Sequence, residues 1–420
     1  MSEWKECKIA DAPFEIIDGD RGTNYPKQDE FNQNGYCLFL NAKNVTTDGF
    51  AFDECYFISK EKDEILRKGK LRRNDIVLTT RGTVGNIGFF NERIPYEHIR
   101  INSGMVIIRP DPDGILPEYT HQLFKYLKGD FDVFATGSAQ PQLPIRDLKE
   151  ISFSLPPLPE QRAIASVLSS LDDKIDLLHR QNKTLEGMAE ALWRKIFVEE
   201  ADPRWKKGKL GDVAEINPLR SIKKGAIAAY LDMSNMPTNG PFPKEWIQRE
   251  FTSGIKFKNG DTIIARITPC LENGKTAYVN FLDNEEIAWG STEYIVLAPK
   301  TGYCSEWNYF LARNDDFRDF AIQNMTGTSG RQRVSGDSIA QYEIAIPTMN
   351  ISERFRTFAG PVMEHIRQNS FQIRTLSRLR DTLLPKLMSG EICISNNEKL
   401  IDNASQNVSS LDLTHIQEVT

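Results

Sequence analysis

Between Pro159 and Phe197 the chain keeps a stripe that few folds can use. Ile164, Leu168, Leu171, Ile175, Leu178, Asn182, Leu185, Ala189, Leu192 and Ile196 are separated by four and three residues in strict alternation, the seam of a coiled coil. Pro156, Pro157 and Pro159 punctuate the start, and Glu160 puts a carboxylate at the positive end of the helix dipole. Arg194 and Lys195 sit at the negative end and Pro203 follows. A second stripe, Phe355, Ala359, Val362, Ile366, Asn369, Ile373, Leu376, Arg380, Leu383 and Leu387, repeats the spacing with only Asn369 and Arg380 polar.

The two stripes match best antiparallel. Setting Asn182 against Asn369 fixes the other layers: Ile164 with Leu387, Leu168 with Leu383, Ile175 with Leu376, Leu178 with Ile373, Leu185 with Ile366, Ala189 with Val362, Leu192 with Ala359 and Ile196 with Phe355. Only Leu171 against Arg380 fits badly. A parallel pair would set each Asn against an apolar residue, at roughly 1 to 3 kcal/mol per unsatisfied amide. The alternative is two helices packed separately into globular cores, and Pro361 and Pro385 point to kinks in the second.

Around these helices the sequence reads as a duplication. Trp4-Lys5, Lys8, Ile9 and Asp11 reappear as Trp205-Lys206, Lys209, Leu210 and Asp212. Asn74-Asp75-Ile76-Val77 answers to Gly260-Asp261-Thr262-Ile263, and Met105 to Pro110 answers to Tyr294 to Pro299. Thr136-Gly137-Ser138 with Gln142 answers to Thr326-Gly327-Thr328 with Gln332, and Leu192, Lys195 and Ile196 lie 191 residues before Leu383, Lys386 and Leu387. A period this long is one domain plus one helix, twice, not a solenoid. Short β-branched runs such as Ile76 to Thr79 and Tyr294 to Leu297, with helical pieces at Tyr119 to Lys128 and Trp307 to Ile322, make each globular part α+β. The boundaries expected are 1–155 and 201–348 for the globular domains, 156–200 and 349–392 for the helices, and 393–420 for a disordered tail poor in apolar residues.

Composition narrows the setting. With 420 residues, 40% apolar and 26% charged, the chain has material for several cores. Cys7, Cys37, Cys55, Cys270, Cys304 and Cys393 form no close pairs, so neither a zinc site nor a disulfide framework is indicated and a reducing cytoplasm is expected. No apolar run approaches a membrane span. A net charge of −6 argues against holding nucleic acid by bulk charge, so any such contact is local.

A search for catalytic patterns returns little. There is no cofactor-binding glycine loop between strand and helix, no Walker sequence, no paired His/Cys ligand spacing and no Gly-x-Ser-x-Gly elbow. Asn217-Pro218 resembles the start of an amino-methyltransferase motif, which Leu219 and Arg220 spoil. Glu6-x-Lys8 resembles the end of a nuclease motif without its upstream Pro-Asp. What recurs in both copies is a pair of polar loops. The first is Thr79 to Asn86, with Thr80, Arg81 and Asn86, against Ala265 to Lys275, with Arg266 and Lys275. The second is Thr136 to Gln142, with Gln140 and Gln142, against Thr326 to Arg333, with Arg331, Gln332 and Arg333. Arg forks onto guanine, Gln and Asn onto adenine, and Gly lets backbone amides reach phosphate oxygens. The first loop reads equally as an exposed hairpin turn.

Leu155-Pro156-Pro157-Leu158-Pro159-Glu160-Gln161-Arg162-Ala163-Ile164-Ala165, the heptad helix behind it, the ending Leu383-Leu384-Pro385-Lys386-Leu387-Met388-Ser389-Gly390-Glu391 and the Thr-Gly-Ser-x-Gln-Pro-Gln loop together resemble the specificity subunit of type I restriction-modification enzymes. The likeness extends to about Ile394. The second helix departs from it, beginning Asn350-Ile351-Ser352-Glu353-Arg354 without Pro-Glu-Gln.

The resemblance implies two pseudo-symmetric target-recognition domains, each reading half of a split site in double-stranded DNA, separated by an antiparallel two-helix coiled-coil spacer. Leu168, Ile175, Asn182, Leu185, Ile366, Asn369, Ile373 and Leu376 would form that spacer and its partner interface. It further implies two methyltransferase subunits as partners with restriction subunits joining them, and no membrane. No active site, metal or cofactor is expected in this chain, with S-adenosylmethionine, ATP and magnesium on the partner subunits. Two other readings stay open: a coiled-coil scaffold that never touches DNA, and a stand-alone nuclease.

Overall fold

The same local device opens the central strand of each repeat. Asn74 and Gly260 sit at φ of 73° and 89°, where asparagine and glycine are the least strained residues. The carboxylates next to them, Asp75 and Asp261, each accept a backbone N–H from three residues upstream, Arg72 and Lys258, at 2.7 Å. Buried Asp75 and Asp261 are ion-paired with Arg109 and Arg220 respectively. The chain then enters the most buried strand of the domain.

The computed structural model describes residues 4–137, 141–283, 285–328 and 330–394. The strands of the two principal sheets are β1 (Phe14–Asp18), β2 (Ile76–Thr79), β3 (Ile87–Phe89) and β4 (Met105–Pro110), then β5 (Ala214–Ile216), β6 (Thr262–Ala265), β7 (Thr276–Tyr278) and β8 (Tyr294–Pro299). Their spatial orders are β1-β4-β2-β3 and β5-β8-β6-β7, antiparallel throughout. Each repeat also has a smaller sheet with one parallel pair. In the first, Cys37–Phe39 runs beside Ile99–Arg100; in the second, Ile227–Leu231 runs beside Ala288–Gly290. A two-stranded tie, Lys5–Lys8 with Ser152–Leu155 and Lys207–Lys209 with Glu343–Ala345, closes each globular part just before its long helix. The duplication is therefore a duplication of folds.

The helical piece expected over Trp307 to Ile322 is two helices, Ser305–Arg313 and Asp315–Gln323. Asn314 ends the first and caps the second, its side-chain oxygen accepting from the N–H groups of Asp316 and Phe317. In the first repeat the corresponding piece divides into Pro117–Tyr126 and Lys128–Phe134.

Helix α1 spans Leu158–Arg194 and α2 spans Met349–Met388, unbroken through Pro361 and Pro385. The chain divides into two compact units whose boundaries fall inside these helices, between Asp173 and Lys174 and between Leu376 and Ser377. In the first unit Ile164, Ala165 and Leu168 of α1 share one apolar cluster with Leu383, Leu384, Leu387 and Met388 of α2 and with the globular domain. In the second, Ala189 and Trp193 cluster with Phe355, Ala359, Met363 and Ile366. The helices are thus partners for each other and part of each core at once. Trp193, off the seam, is 3% exposed because α1 turns that side toward the second domain.

The asparagine layer forms as the seams require: Asn369 Nδ2 donates to Asn182 Oδ1 at 2.9 Å, and Asn182 Nδ2 to Ser370 Oγ at 3.2 Å. Leu168, Ile175, Ile366 and Asn369 are buried, while Asn182, Leu185, Ile373 and Leu376 are half-buried. The misfit expected of Arg380 does not arise. Its guanidinium donates to Asp381 and reaches Asp172 at 3.1 Å, where Gln122 and Lys125 also donate at 2.8 Å.

The Pro-Glu-Gln segment has a structural explanation. Gln161 is 1% exposed; its side-chain oxygen accepts from Leu116 N at 2.9 Å and its amide donates to Pro156 O and Gly114 O. It therefore satisfies the backbone where the Pro117–Tyr126 helix begins. In the second repeat, where the segment is missing, buried Ser352 of α2 accepts from Cys304 N at 2.8 Å, at the start of Ser305–Arg313. A shorter side chain does the same work there.

Candidate nucleic-acid interface

The two polar loops of each repeat are one structure. In the first unit the chain leaving β2 receives a backbone bond from Leu143 N to Thr80 O at 2.9 Å and another from Gly82 N to Pro141 O at 3.1 Å, and Thr136 and Gln142 exchange both backbone bonds at 2.8 Å. In the second unit Val334 N donates to Arg266 O at 3.0 Å and Thr268 N to Gln332 O at 3.1 Å, and Thr326 and Arg333 exchange both bonds at 2.9 Å. The bridges Arg81 to Gln142 and Ile267 to Arg333 complete the match. Gln142 therefore corresponds to Arg333 and not to Gln332, because the second loop carries one more residue between its Thr and the bridging partner.

The side chains separate into those that face outward and those that hold the loops. Arg81, Gln142 and Arg331 are exposed, and Gln332 is half-buried. Arg333 lies against Glu293, Nε to Oε2 at 2.9 Å and Nη2 to Oε1 at 2.8 Å. That bond, more than the opposing effect of burial, holds the Glu293 carboxyl below the usual carboxylate range. Arg266 is half-buried beside it, with a buried Nε that meets no acceptor. Sequence reasoning missed Glu293; an acid just before a strand carries no signal of its own.

Three of the expected readers are structural. Thr80 and Asn86 are 5% and 9% exposed. The Asn86 amide donates to Val45 O at 2.9 Å, and Thr80 Oγ1 donates to Gly104 O at 3.1 Å, so neither is presented to a ligand. The Lys275 ammonium is bound by Met233 O. Gln140 lies outside the described residues.

What remains outward in each unit is a backbone-braced pair of loops carrying planar donors of the kind that read base edges: Arg81 with Gln142, and Arg331 with half-buried Gln332, next to Arg333, whose guanidinium is engaged by Glu293 and by Arg331 O. A family model for the type I restriction modification DNA specificity domain matches residues 1–187 and again 203–359. The chain belongs to that family. Its two matches fall on the two repeats, so each loop pair lies within one copy of the family's domain. Among similar proteins is the type I restriction enzyme MjaIX specificity subunit of Methanocaldococcus jannaschii, 26% identical over 392 residues covering 83% of this chain and 86% of that one. The HindI specificity subunit of Haemophilus influenzae is 21% identical over 93% of this chain and all of its own. The crystal structure of a type I restriction-modification S subunit from M. genitalium shares the fold, with a TM-score of 0.58 at 14% identity over 92% of this chain and 96% of that one. Among the described residues no helix is long and apolar enough to cross a membrane.

Proposed function

We propose that this chain is the sequence-reading subunit of a type I restriction-modification complex: each unit reads one half of a split target in double-stranded DNA. The single observation that supports this best is that both units build the same braced loop pair and place different outward side chains on it. Equal scaffolds with unequal tips suit two half-sites of different sequence. Arg81 and Gln142 serve one half, Arg331, Gln332 and Arg333 the other, with Arg266 supporting from behind.

On this reading the chain itself is not catalytic. Methyltransferase subunits carry S-adenosylmethionine, restriction subunits carry ATP and magnesium, and two methyltransferases dock through the paired helices. The test is to assemble the chain with a methyltransferase partner, map the methylated positions, and repeat with Arg81→Ala/Gln142→Ala and with Arg331→Ala/Gln332→Ala. Each double variant is expected to relax one half of the target by about 10-fold or more, since a good bidentate base contact discriminates by about 1–3 kcal/mol. If either variant relaxed both halves, or if the purified chain alone cut or methylated DNA, the reading would fall.

A further inference from the structure

The outer face of the smaller sheet is covered to different degrees in the two units: in the second, Ile222 and Phe251 pack with Ala228 and Trp289, but Ile247 and Arg249 stay exposed. In the first unit the outward side of Cys37–Phe39 and Ile99–Arg100 is covered by the chain itself. Tyr25 and Phe31 pack on Cys37, Phe39 and Ile58, and buried Arg100 is clamped by Asp63 of the Lys60–Ile65 helix, its Nη2 donating to Asp63 O and Leu66 O.

In the second unit one row runs across all four strands: Ile247 opposite Tyr230, Tyr230 opposite Trp289, Trp289 opposite Lys256. Arg249 pairs with Ala228, and that small residue lets the guanidinium lie 4.7 Å from the Tyr230 ring centre and 5.7 Å from that of Trp289. Lys256 lies 4.9 Å from the Phe251 ring. Trp289 is 3% exposed and its buried Nε1–H meets no acceptor.

The strands of this face carry Arg249 and Lys256; the acid next to Arg249, Glu250, alternates to the other side, where its carboxylate stands over Gly225 of the adjoining turn. Exposed Lys223 and Lys224 stand on the adjoining turn, where Gly225 N and Phe251 N bond across at 3.0 and 2.8 Å. In a chain of net charge −6, this concentration of cations on aromatic rings is matched to a polyanion. The face also continues along the chain into the loop pair: Met233, two residues past Ile227–Leu231, holds Lys275, and Glu293, three past Ala288–Gly290, holds Arg333.

We propose that this outer face, with Arg249, Lys256, Lys223 and Lys224, is a phosphodiester-binding surface that grips the DNA backbone beside the half-site read by the second unit. The proposal rests on the DNA-reading function above. Stacking fixes the guanidinium plane and leaves its edge donors for phosphate oxygens, a contact that positions without reading sequence.

The test uses the full chain assembled with its methyltransferase and two duplexes, one bearing the mapped target and one unrelated, titrated across a salt series. For Arg249→Gln/Lys256→Gln the slope of log affinity against log salt is expected to become shallower by about 1.8, close to 0.9 per lost phosphate contact, equally on both duplexes and with the methylated sequence unchanged. Lys223→Gln/Lys224→Gln, on an exposed turn that cannot unfold the sheet, is expected to act in the same direction. An unchanged slope in both variants while the parent binds normally overturns the proposal. So does a changed methylation sequence, or a loss of methyltransferase association with DNA binding intact. A parent complex that binds no DNA at all would sink the DNA-reading function with it.

Discussion

Arg331 and Arg333 differ by two positions and by role. Arg331 is exposed, whereas Arg333 is held against Glu293 through two of its nitrogens, so its fork is pre-oriented and costs less to order on binding. Glu293→Gln is therefore expected to relax only the half-site of the second unit, seen as extra methylated positions in a genome-wide map, with the other half intact. Gln161 offers a second residue-scale prediction. Its side chain answers three backbone groups in a buried site, so Gln161→Ala should cost about 1–3 kcal/mol by chemical denaturation. Ser352→Ala, which loses one bond, should cost less. That order would reverse if Gln161 acted through partner contacts instead. A sequence carries little of this. The Pro-Glu-Gln segment is conspicuous in a string of letters, but its physical task depends on Leu116, 45 residues away. Asn86 and Thr80 look like ideal readers until the fold buries them, because alternation in a four-residue strand does not say where the strand's turn will tuck.

At the level of elements, the long helices were the most legible part of the chain. A heptad needs no tertiary information beyond a second heptad, and the antiparallel choice follows from two amides that satisfy each other weighed against two left unsatisfied. What was not legible is that each helix also lines a domain core, as Trp193 and Glu186 do outside the seam. Two carboxylates on α1 carry opposite pH signatures. Burial pushes the Glu186 carboxyl up, and the hydrogen bond from Tyr309 Oη does not compensate. A group whose folded pKa is raised contributes stability at low pH and loses it as pH rises through the folded value, so Glu186 costs the second unit stability at neutral pH. Glu186→Gln, which keeps an acceptor for Tyr309, should raise neutral-pH stability and flatten its dependence above pH 4 to 5. Asp172 is the reverse: burial pushes it up, but Lys125, Gln122 and His121 together bring it below its ordinary value. Its contribution is present above about pH 4 and fades as the solution is acidified. Asp172→Asn should therefore destabilise the first unit at neutral pH and cost progressively less as the pH is lowered below about 4, measured by denaturation at each pH.

For the molecule as a whole, duplication and heptads together invite two exchanges. Replacing residues 1 to about 155 by the matching part of another family member should alter only one half of the target. Inserting one heptad into both α1 and α2 adds about 10 Å of helix at ~1.5 Å per residue, or about three base pairs at ~3.4 Å each. The gap between half-sites should widen by about that much while both halves keep their sequence. A change in either half after the heptad insertion would show that helix length and base choice are not separable. The loop pairing, by contrast, was visible only after folding: Thr136 and Gln142 advertise a loop, but not that Thr80 and Leu143 will bond across it.

Main-chain bonds run in both directions between Thr136 and Gln142 and between Thr326 and Arg333. Most replacements at the exposed tips would therefore leave the loop standing, so that a unit can change what it presents without rebuilding the scaffold that presents it.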